Sequence, residues 1–112
     1  MGIAYKRLEQ YADAIAAYRK AVDIKPDYAE AYNNMGTAYN HLEQYTEAIA
    51  AFKKAIDIKQ DFAEPFCNRA IAYYFTREYD KAWADVKECQ RLGSDVHPEF
   101  LADLRKASGR EE

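Results

Sequence analysis

The tetrapeptide LEQY occurs at Leu8–Tyr11 and returns at Leu42–Tyr45, 34 residues later. The surrounding residues repeat as well: when Tyr5–Asn34 is aligned with Tyr39–Asn68, 18 of the 30 positions are identical. A looser third copy follows at the same spacing, with REYDKAW at Arg77–Trp83 in the place of LEQYTEAI. Because self-similarity at a fixed period is the signature of repeat architectures, the sequence predicts a chain of similar structural units.

Composition and charge limit the classes of protein to which the chain can belong. Its 112 residues suffice for one domain, and an apolar content of 49% with few Gly and Pro is typical of a helical protein. The net charge of -3 argues against nucleic-acid binding, because phosphate-binding proteins need a basic surface. No apolar run approaches the roughly 20 residues of a membrane span, and no signal peptide is readable. We therefore expect a cytoplasmic protein that binds neither nucleic acid nor membrane.

The two cysteines, Cys67 and Cys89, fall within the third copy and have no counterparts in the other copies. A disulfide framework is therefore not a feature of the repeated unit. We expect both residues to be reduced thiols that pack in the interior of a cytoplasmic protein.

Each unit is predicted to consist of two antiparallel helices joined by a tight turn. The apolar residues of the first helix in the central copy share one helical face; they are Tyr32, Met35, Gly36, Tyr39 and Leu42. The pattern breaks at Glu43–Tyr45, and a second helical run extends from Thr46 to about Lys59. Neither helix is long enough to be stable alone in water, so that packing between helices must stabilise both.

Small residues at matched positions predict where the two helices of a unit approach each other. Gly36 and Ala48 lack bulk, so that Tyr39 and Phe52 can fill the space on either side. A Gly inside a helix costs up to about 1 kcal/mol relative to Ala, and close packing would offset that cost. The packing residues predicted from all copies are Gly2, Tyr5, Ala14, Gly36, Tyr39, Ala48, Phe52, Ala70, Tyr73, Ala82 and Trp83.

The third copy departs from this core pattern at several positions. Trp83 takes the place of Ile49 and Val86 takes the place of Phe52, an exchange that conserves core volume. Arg69 stands where the second copy has an apolar residue, and we expect its long side chain to reach out of the interface to solvent.

This pattern resembles the tetratricopeptide repeat (TPR), a 34-residue helix–turn–helix unit whose signature combines aromatic-x-x-Leu-Gly-x-x-Tyr, Ala-x-x-x-Phe and Pro. The central copy matches with Tyr32, Met35, Gly36, Tyr39, Ala48 and Phe52, and it has Gln60 where Pro is usual. The resemblance covers about Gly2 to Leu92. It implies an all-α, right-handed solenoid of about two and a half repeats, followed by a C-terminal capping helix that covers the last repeat.

The predicted single TPR domain spans residues 1–108. It comprises a truncated first repeat at 2–26, a second repeat at 27–60, a third at 61–93 and the capping helix at 96–108, before a flexible tail at 109–112. The chain enters the first repeat at Gly2, in the middle of that repeat's first helix. Two explanations stay open: the chain is a piece of a longer array, or another chain completes the exposed side of the first unit.

The resemblance also implies that the first helix of each unit lines a concave groove, which binds an extended or helical peptide of a partner protein. The groove residues expected from the matching positions are Lys6, Arg7, Asn33, Thr37, Asn40, His41, Cys67, Ile71, Tyr74 and Phe75. A merely solvated face is the alternative for the polar residues. For the two aromatic residues, the alternative is cover by the capping helix through Phe100 or Leu104.

Chaperone-binding members of the family hold a ligand carboxylate in a clamp of Lys, Arg and Asn side chains. In this chain Ile3, Glu64 and Asn68 stand at clamp positions that require Asn, Lys and Arg, although Asn34 matches. The sequence therefore predicts that the carboxylate clamp is absent.

Catalytic and metal sites are not indicated. Cys67 and His41 are out of step on adjacent helices by about 12 Å, at 1.5 Å per residue, and no His or Cys spacing matches a zinc site. Nothing in the sequence points to a cofactor. The leading hypothesis is a non-catalytic scaffold for a protein or peptide partner, and the alternative is a homo-oligomerisation module that uses the incomplete N-terminal repeat.

Overall fold

The computed structural model describes residues 5–110, with side chains from Arg7 onward, and these residues form helices and connecting turns without a strand. The helices are α1 (Tyr5–Ile24), α2 (Ala29–His41), α3 (Tyr45–Ile58), α4 (Ala63–Phe75), α5 (Tyr79–Arg91) and α6 (Pro98–Ser108). Each helix packs on the next along the chain, and α2 also packs on α4. The chain is thus an all-α solenoid, in which α2–α3 and α4–α5 are complete helical hairpins.

The two hairpins turn at equivalent positions, and each turn contains a strained residue. Glu43 has a φ of 61° and Arg77 a φ of 63°, in the left-handed region that costs a residue with a side chain about 1–2 kcal/mol. The backbone N–H of Gln44 donates to Tyr39 O at 2.9 Å and closes the first turn. The strain is tolerated because the turn brings the apolar faces of two helices together.

The first copy of LEQY does not form this turn. Helix α1 continues through Leu8–Tyr11 without interruption, whereas the same four residues end α2 and begin α3 in the second copy. The expectation that the chain enters a separate first helix and then turns is therefore wrong. The continuous helix needs no residue in the left-handed conformation that Glu43 adopts in the second copy.

The core of the second unit confirms the predicted close approach at Gly36. A methyl group placed on Gly36 would lie 2.5 Å from Phe52 Cε1, and the Phe52 ring is fully buried. The third unit has Ala70 and Val86 at the equivalent positions, both almost inaccessible to solvent. In the third unit, Ala70 adds a methyl group relative to Gly36, and Val86 lacks the ring of Phe52. The interface between the two helices is therefore filled in both units.

Most of the predicted packing residues are buried. Those that are shielded from solvent are Gly36, Tyr39, Ala48, Phe52, Ala70, Ala82 and Trp83, and Ala14 and Tyr73 are half-buried. Gly2 and the side chain of Tyr5 lie outside the described part of the chain.

Arg69 does not reach solvent as expected, because it forms an ion pair with Asp85 inside the third unit. Two hydrogen bonds of 2.7 and 2.8 Å join the guanidinium to the two carboxylate oxygens, and Asp85 is only 4% exposed. Burial raises the pKa of Asp85, and the hydrogen bond from Arg69 only partly opposes this rise. For Arg69, burial lowers the pKa, but the hydrogen bond and the charge of Asp85 outweigh burial, so that the pKa of Arg69 is above its usual value. At the equivalent positions the second unit has the uncharged residues Met35 and Ala51. The two charges are therefore both absent from the second unit and both present in the third.

The prediction of two reduced cysteines is also wrong. Cys67 of α4 and Cys89 of α5 form a disulfide, with their Cα atoms 5.2 Å apart. A bond that closes a loop of this length reduces the entropy of the unfolded chain and contributes about 3 kcal/mol of stability. The repeat geometry explains the pairing: α4 and α5 form one hairpin, so that a cysteine on each facing side can meet the other.

Helix α6 covers the end of the solenoid as predicted. Leu104 is fully buried, and Trp83 Nε1 donates to Ser108 Oγ at 3.0 Å. His97 caps the helix, because its Nδ1 accepts a hydrogen bond from the backbone N–H of Glu99, and Pro98 occupies the first turn.

We predict that Gly36→Ala destabilises the protein by about 1–3 kcal/mol, because the new methyl group would overlap the fully buried Phe52 ring. This loss should exceed the gain of about 1 kcal/mol in helix propensity. In a Phe52→Val background, which reproduces the pairing of the third unit, the cost of Gly36→Ala should fall. Urea denaturation of the four variants measures this coupling, and an unchanged cost in the Val background would contradict the assigned contact.

We also predict that Arg69→Met and Asp85→Ala each destabilise by about 3–5 kcal/mol, because each leaves a buried charge without its partner. The double variant, which reproduces the Met35–Ala51 pair of the second unit, should be near the stability of the parent. Thermal and chemical denaturation of all four proteins form a double-mutant cycle. Additive losses in the double variant would show that the pair is not coupled.

Candidate functional site

Two clefts lie side by side on the face formed by α1, α2 and α4. The α2–α4 cleft has a volume of about 390 Å³ and is lined by Thr37, Asn40, His41, Tyr45, Asn68, Ile71 and Phe75. The α1–α2 cleft has a volume of about 230 Å³ and is lined by Tyr11, Ala14, Tyr18, Asn34, Thr37, Ala38 and His41. Both clefts are lined by Thr37 and His41 of α2, so that they adjoin along this helix, and together they form the candidate groove.

Asparagine side chains connect α2 to α4 beside the α2–α4 cleft. Asn68 Nδ2 donates to Asn33 Oδ1, and Asn40 Nδ2 donates to the backbone oxygen of Asn68, both at 3.3 Å. The carbonyl oxygen Oδ1 of Asn40 is buried and accepts no hydrogen bond from the described residues. An unsatisfied buried acceptor of this kind is unfavourable by about 1–3 kcal/mol.

Stacked aromatic rings form the end of each cleft. Tyr45 stacks on Phe75 with ring centroids 4.8 Å apart, and Tyr11 stacks on His41 at 4.6 Å. The two pairs are equivalent in the repeat, because both partners differ by 34 positions. Phe75 is 53% exposed despite this contact. Burial, with a contribution from Glu43, raises the pKa of Tyr45, so that its hydroxyl stays protonated and able to donate.

Tyr74 and Phe75 differ in what covers them. The Tyr74 ring contacts Phe100 of α6 edge-on at 5.6 Å and also packs on Tyr79. The alternative interpretation, cover by the capping helix, therefore holds for Tyr74. It does not hold for Phe75, which lines the α2–α4 cleft.

The predicted groove residues are thus only partly brought together. Those that line the α2–α4 cleft are Thr37, Asn40, His41, Ile71 and Phe75. Asn33 and Cys67 occupy the same repeat position and are buried, Asn33 against Asn68 and Cys67 in its disulfide. The placement of Cys67 and Asn33 on the groove surface is therefore wrong. Arg7 is exposed on α1, and the side chain of Lys6 lies outside the described part of the chain.

The groove residues predicted from the sequence include neither Tyr45 nor Asn68. Tyr45 was assigned to the turn that follows α2, yet it is the first residue of α3 and its ring lies in the cleft. The recurrence of Tyr at positions 11, 45 and 79 was the available signal, because a turn does not require an aromatic residue. The sequence identifies Asn68 only as a clamp position without a positive charge, whereas in the structure it lines the cleft and donates a hydrogen bond to Asn33 of α2.

The described residues contain no cluster of metal ligands, and Cys67 has no free thiol. Across residues 5–110, no three or more His, Cys, Asp or Glu side chains are grouped to hold a metal ion. Cys67 is bonded to Cys89, so that it is no nucleophile for His41. Within the same residues, no helix combines the length and hydrophobicity required to span a membrane.

Comparison with family models identifies the repeat. A model described as TPR repeat matches residues 2–42, and a model described as Tetratricopeptide repeat matches residues 29–62. Together they span 2–62, more than half of the chain. A comparison with curated proteins finds no match.

Solved structures show the same architecture. The first TPR of Spaghetti (RPAP3), bound to the HSP90 peptide SRMEEVD, superposes with a TM-score of 0.81 at 23% identity, over 94% of this chain and 82% of that one. The TPR2B domain of yeast Sti1 in its pHsp70 complex gives 0.79 at 25% identity, over 90% and 85%. MamA gives 0.71 at 28% identity over 74% of this chain, and the match covers only 48% of MamA.

Proposed function

This chain belongs to the tetratricopeptide repeat family, and from that premise we propose that it is a non-catalytic scaffold that binds a peptide segment of a protein partner in the α2–α4 cleft. The observation that carries this proposal is the exposed Phe75 ring in a cleft that is also lined by the polar side chains of Thr37, Asn40 and Asn68. The similar TPR2B domain of yeast Sti1 is seen in a pHsp70 complex, which supports a protein partner.

The chemistry of the cleft favours a ligand with an apolar side chain and an accessible backbone. Phe75, Ile71 and Tyr45 supply an apolar wall on which a ligand side chain can bury surface. Thr37, whose hydroxyl donates to Asn33 O, keeps a lone pair that can accept a hydrogen bond from a ligand N–H. An extended peptide or one face of a helix provides both features.

A free carboxylate at the end of the ligand is not the feature that this cleft would recognise. The clamp positions Glu64 and Asn68 carry no positive charge, and the Asn68 amide already donates to Asn33. Because the chain also has a net charge of -3, an acidic tail would be disfavoured. We therefore propose an internal segment of a partner protein as the ligand.

The proposal includes a cytoplasmic location, in which cellular thiols would reduce the Cys67–Cys89 disulfide. Neither cysteine lines the α2–α4 cleft. The cleft is therefore expected to bind its ligand in both redox states of the protein.

We predict that peptides selected from a random phage-displayed library will shift the backbone amide resonances of α2 and α4. Phe75→Ala should weaken their binding at least tenfold, because the exposed ring supplies most of the apolar contact area. Tyr28→Ala is the matched control, since Tyr28 is a partly exposed aromatic residue outside the cleft. Equal losses in both variants, or resonance shifts confined to α5 and α6, would refute the proposed site.

A second candidate function is self-assembly through α1, and burial favours it. Ala14 and Tyr18 are half-buried, whereas their counterparts Ala48 and Phe52 are fully buried beneath α2. No helix of the described residues covers α1 in the way that α2 covers α3. We propose that this uncovered face associates with a second copy of the chain.

Sedimentation equilibrium should then show a concentration-dependent dimer, and Ala14→Trp should abolish it by filling the α1–α2 cleft. Ala17→Trp is the control, because Ala17 is exposed and lies outside that cleft. A protein that remains monomeric at millimolar concentration would exclude self-assembly.

A further inference from the structure

A third cleft lies between α1, α2 and α3 and shares no lining residue with the α1–α2 and α2–α4 clefts. Its volume is about 280 Å³, and it is lined by Arg19, Tyr32, Met35, Tyr39, Glu47, Ala50, Ala51 and Lys54. Met35, Tyr39 and Ala51 are each at most 7% exposed, whereas the three charged side chains are exposed. This α1–α3 cleft therefore has an apolar floor and a charged rim.

In the third unit, the equivalent place is occupied by the ion pair of Arg69 and Asp85. The Arg69 guanidinium lies over the rings of Phe66 and Tyr73, 5.7 and 5.5 Å from their centroids. Both oxygens of the Asp85 carboxylate, on the next helix, accept hydrogen bonds from this guanidinium. A long side chain thus fits against two aromatic rings at this place in the repeat.

The second unit keeps the two rings but lacks the ion pair. The counterparts of Phe66, Tyr73, Arg69 and Asp85 are, in that order, Tyr32, Tyr39, Met35 and Ala51. Because Met35 and Ala51 are smaller than their counterparts, the α1–α3 cleft is open where the third unit is filled. The third unit therefore shows what this cleft has room for, which is one elongated side chain packed against the rings of Tyr32 and Tyr39.

Lys54 favours a carboxylate in this place. In the third unit, burial and, more weakly, repulsion by Glu88 raise the pKa of Asp85, so that positions 85 and 88 are close enough to interact. Lys54 is the counterpart of Glu88 and lies one turn after Ala51 on α3. A lysine there attracts a carboxylate that reaches the space above Ala51, and it repels a guanidinium or an ammonium group.

Arg19 adds a second positive charge from the α1 side of the cleft. One of its nitrogens donates a hydrogen bond to the Tyr39 hydroxyl at 2.6 Å, and the guanidinium carries further N–H donors. Among the lining residues, which all belong to the described part of the chain, Glu47 is the one carboxylate. Although the chain has a net charge of -3, the rim of the α1–α3 cleft is therefore locally positive.

We propose that the α1–α3 cleft binds a segment of a second protein partner, in which an apolar side chain packs against Tyr32 and Tyr39 and a neighbouring Asp or Glu pairs with Lys54 and Arg19. The flexible Met35 at the floor adapts to the shape of the apolar side chain. Because the α1–α3 and α2–α4 clefts have no residue in common, one chain would hold two different partners at the same time.

The test compares the open cleft with a filled one. The double variant Met35→Arg/Ala51→Asp introduces the ion pair of the third unit and should fill the cleft while the helices are kept. A random phage-displayed peptide library is selected on the parent protein after depletion on this variant. The recovered peptides should combine an apolar residue with a neighbouring Asp or Glu and should bind the variant at least tenfold more weakly.

Three results of this selection would overturn the proposal. The first is that no recovered peptide distinguishes the parent from the variant, and the second is that those that do carry Lys or Arg in place of Asp or Glu. The third is a dimer of the parent protein that the variant abolishes in sedimentation equilibrium, because the cleft would then belong to a second copy of the chain.

A single charge reversal tests the same site with the cleft left open. Lys54→Glu introduces the residue type of Glu88 at an exposed position and should weaken the selected peptides at least tenfold. Lys20→Glu is the matched control, because Lys20 is exposed and lies outside the cleft. Equal losses in both variants would show unspecific charge attraction and contradict the assigned site, and circular dichroism reports whether each variant remains helical.

Phe75→Ala separates this inference from the proposed function. The variant should leave binding of the selected peptides unchanged, since Phe75 lines only the α2–α4 cleft of the two. A loss of binding in Phe75→Ala would place these peptides in the α2–α4 cleft and overturn the second site. Conversely, ligands of the α2–α4 cleft should bind Met35→Arg/Ala51→Asp as well as they bind the parent, so that either site can fail alone.

Discussion

The contact between Gly36 and the ring of Phe52 is the constraint on which the rest of the structure depends. It allows α2 to lie close against α3, and this approach buries Ala48 and Tyr39 in the core of the second unit. With that face buried, the opposite face of α2 is left to contact α4 and to line both clefts. The glycine at position 36 therefore determines where the groove lies and which residues line it.

The repeats show that the core is maintained by pairs of residues rather than by single positions. Where the third unit adds a methyl group at Ala70, it loses a ring at Val86, and where it places a charge at Arg69, it places the opposite charge at Asp85. Arg69 by itself departs from the apolar pattern of the repeat, and the sequence therefore predicts that its side chain reaches solvent. Its partner lies 16 positions further along the chain, on another helix, so that only packing reveals the pair.

Helical spacing predicts which face of each helix lines the groove, but it does not predict which residues lie at the borders of that face. The recurrence of core residues left Thr37, Asn40 and His41 on the remaining face, where the structure places them along the cleft. Asn33 and Cys67 were assigned to that face too, although their shared repeat position points into the interfaces of α4. The sequence does not define where one face of a helix ends and the next begins. A small rotation about the helix axis therefore decides whether a residue lies in the groove or is buried.

The sequence by itself determined the helical pairs α2–α3 and α4–α5 and the close approach at Gly36, because these depend on periodic residue size and polarity. Only the tertiary structure decided the conformation of LEQY, which is a helix at Leu8–Tyr11 and a turn at Leu42–Tyr45. The residues are identical, so that local propensity cannot distinguish the two copies. The turn at Glu43 is stabilised by the packing of α2 against α3, whereas among the described residues no helix packs on α1 in the same way, and the unstrained helix continues through Glu9.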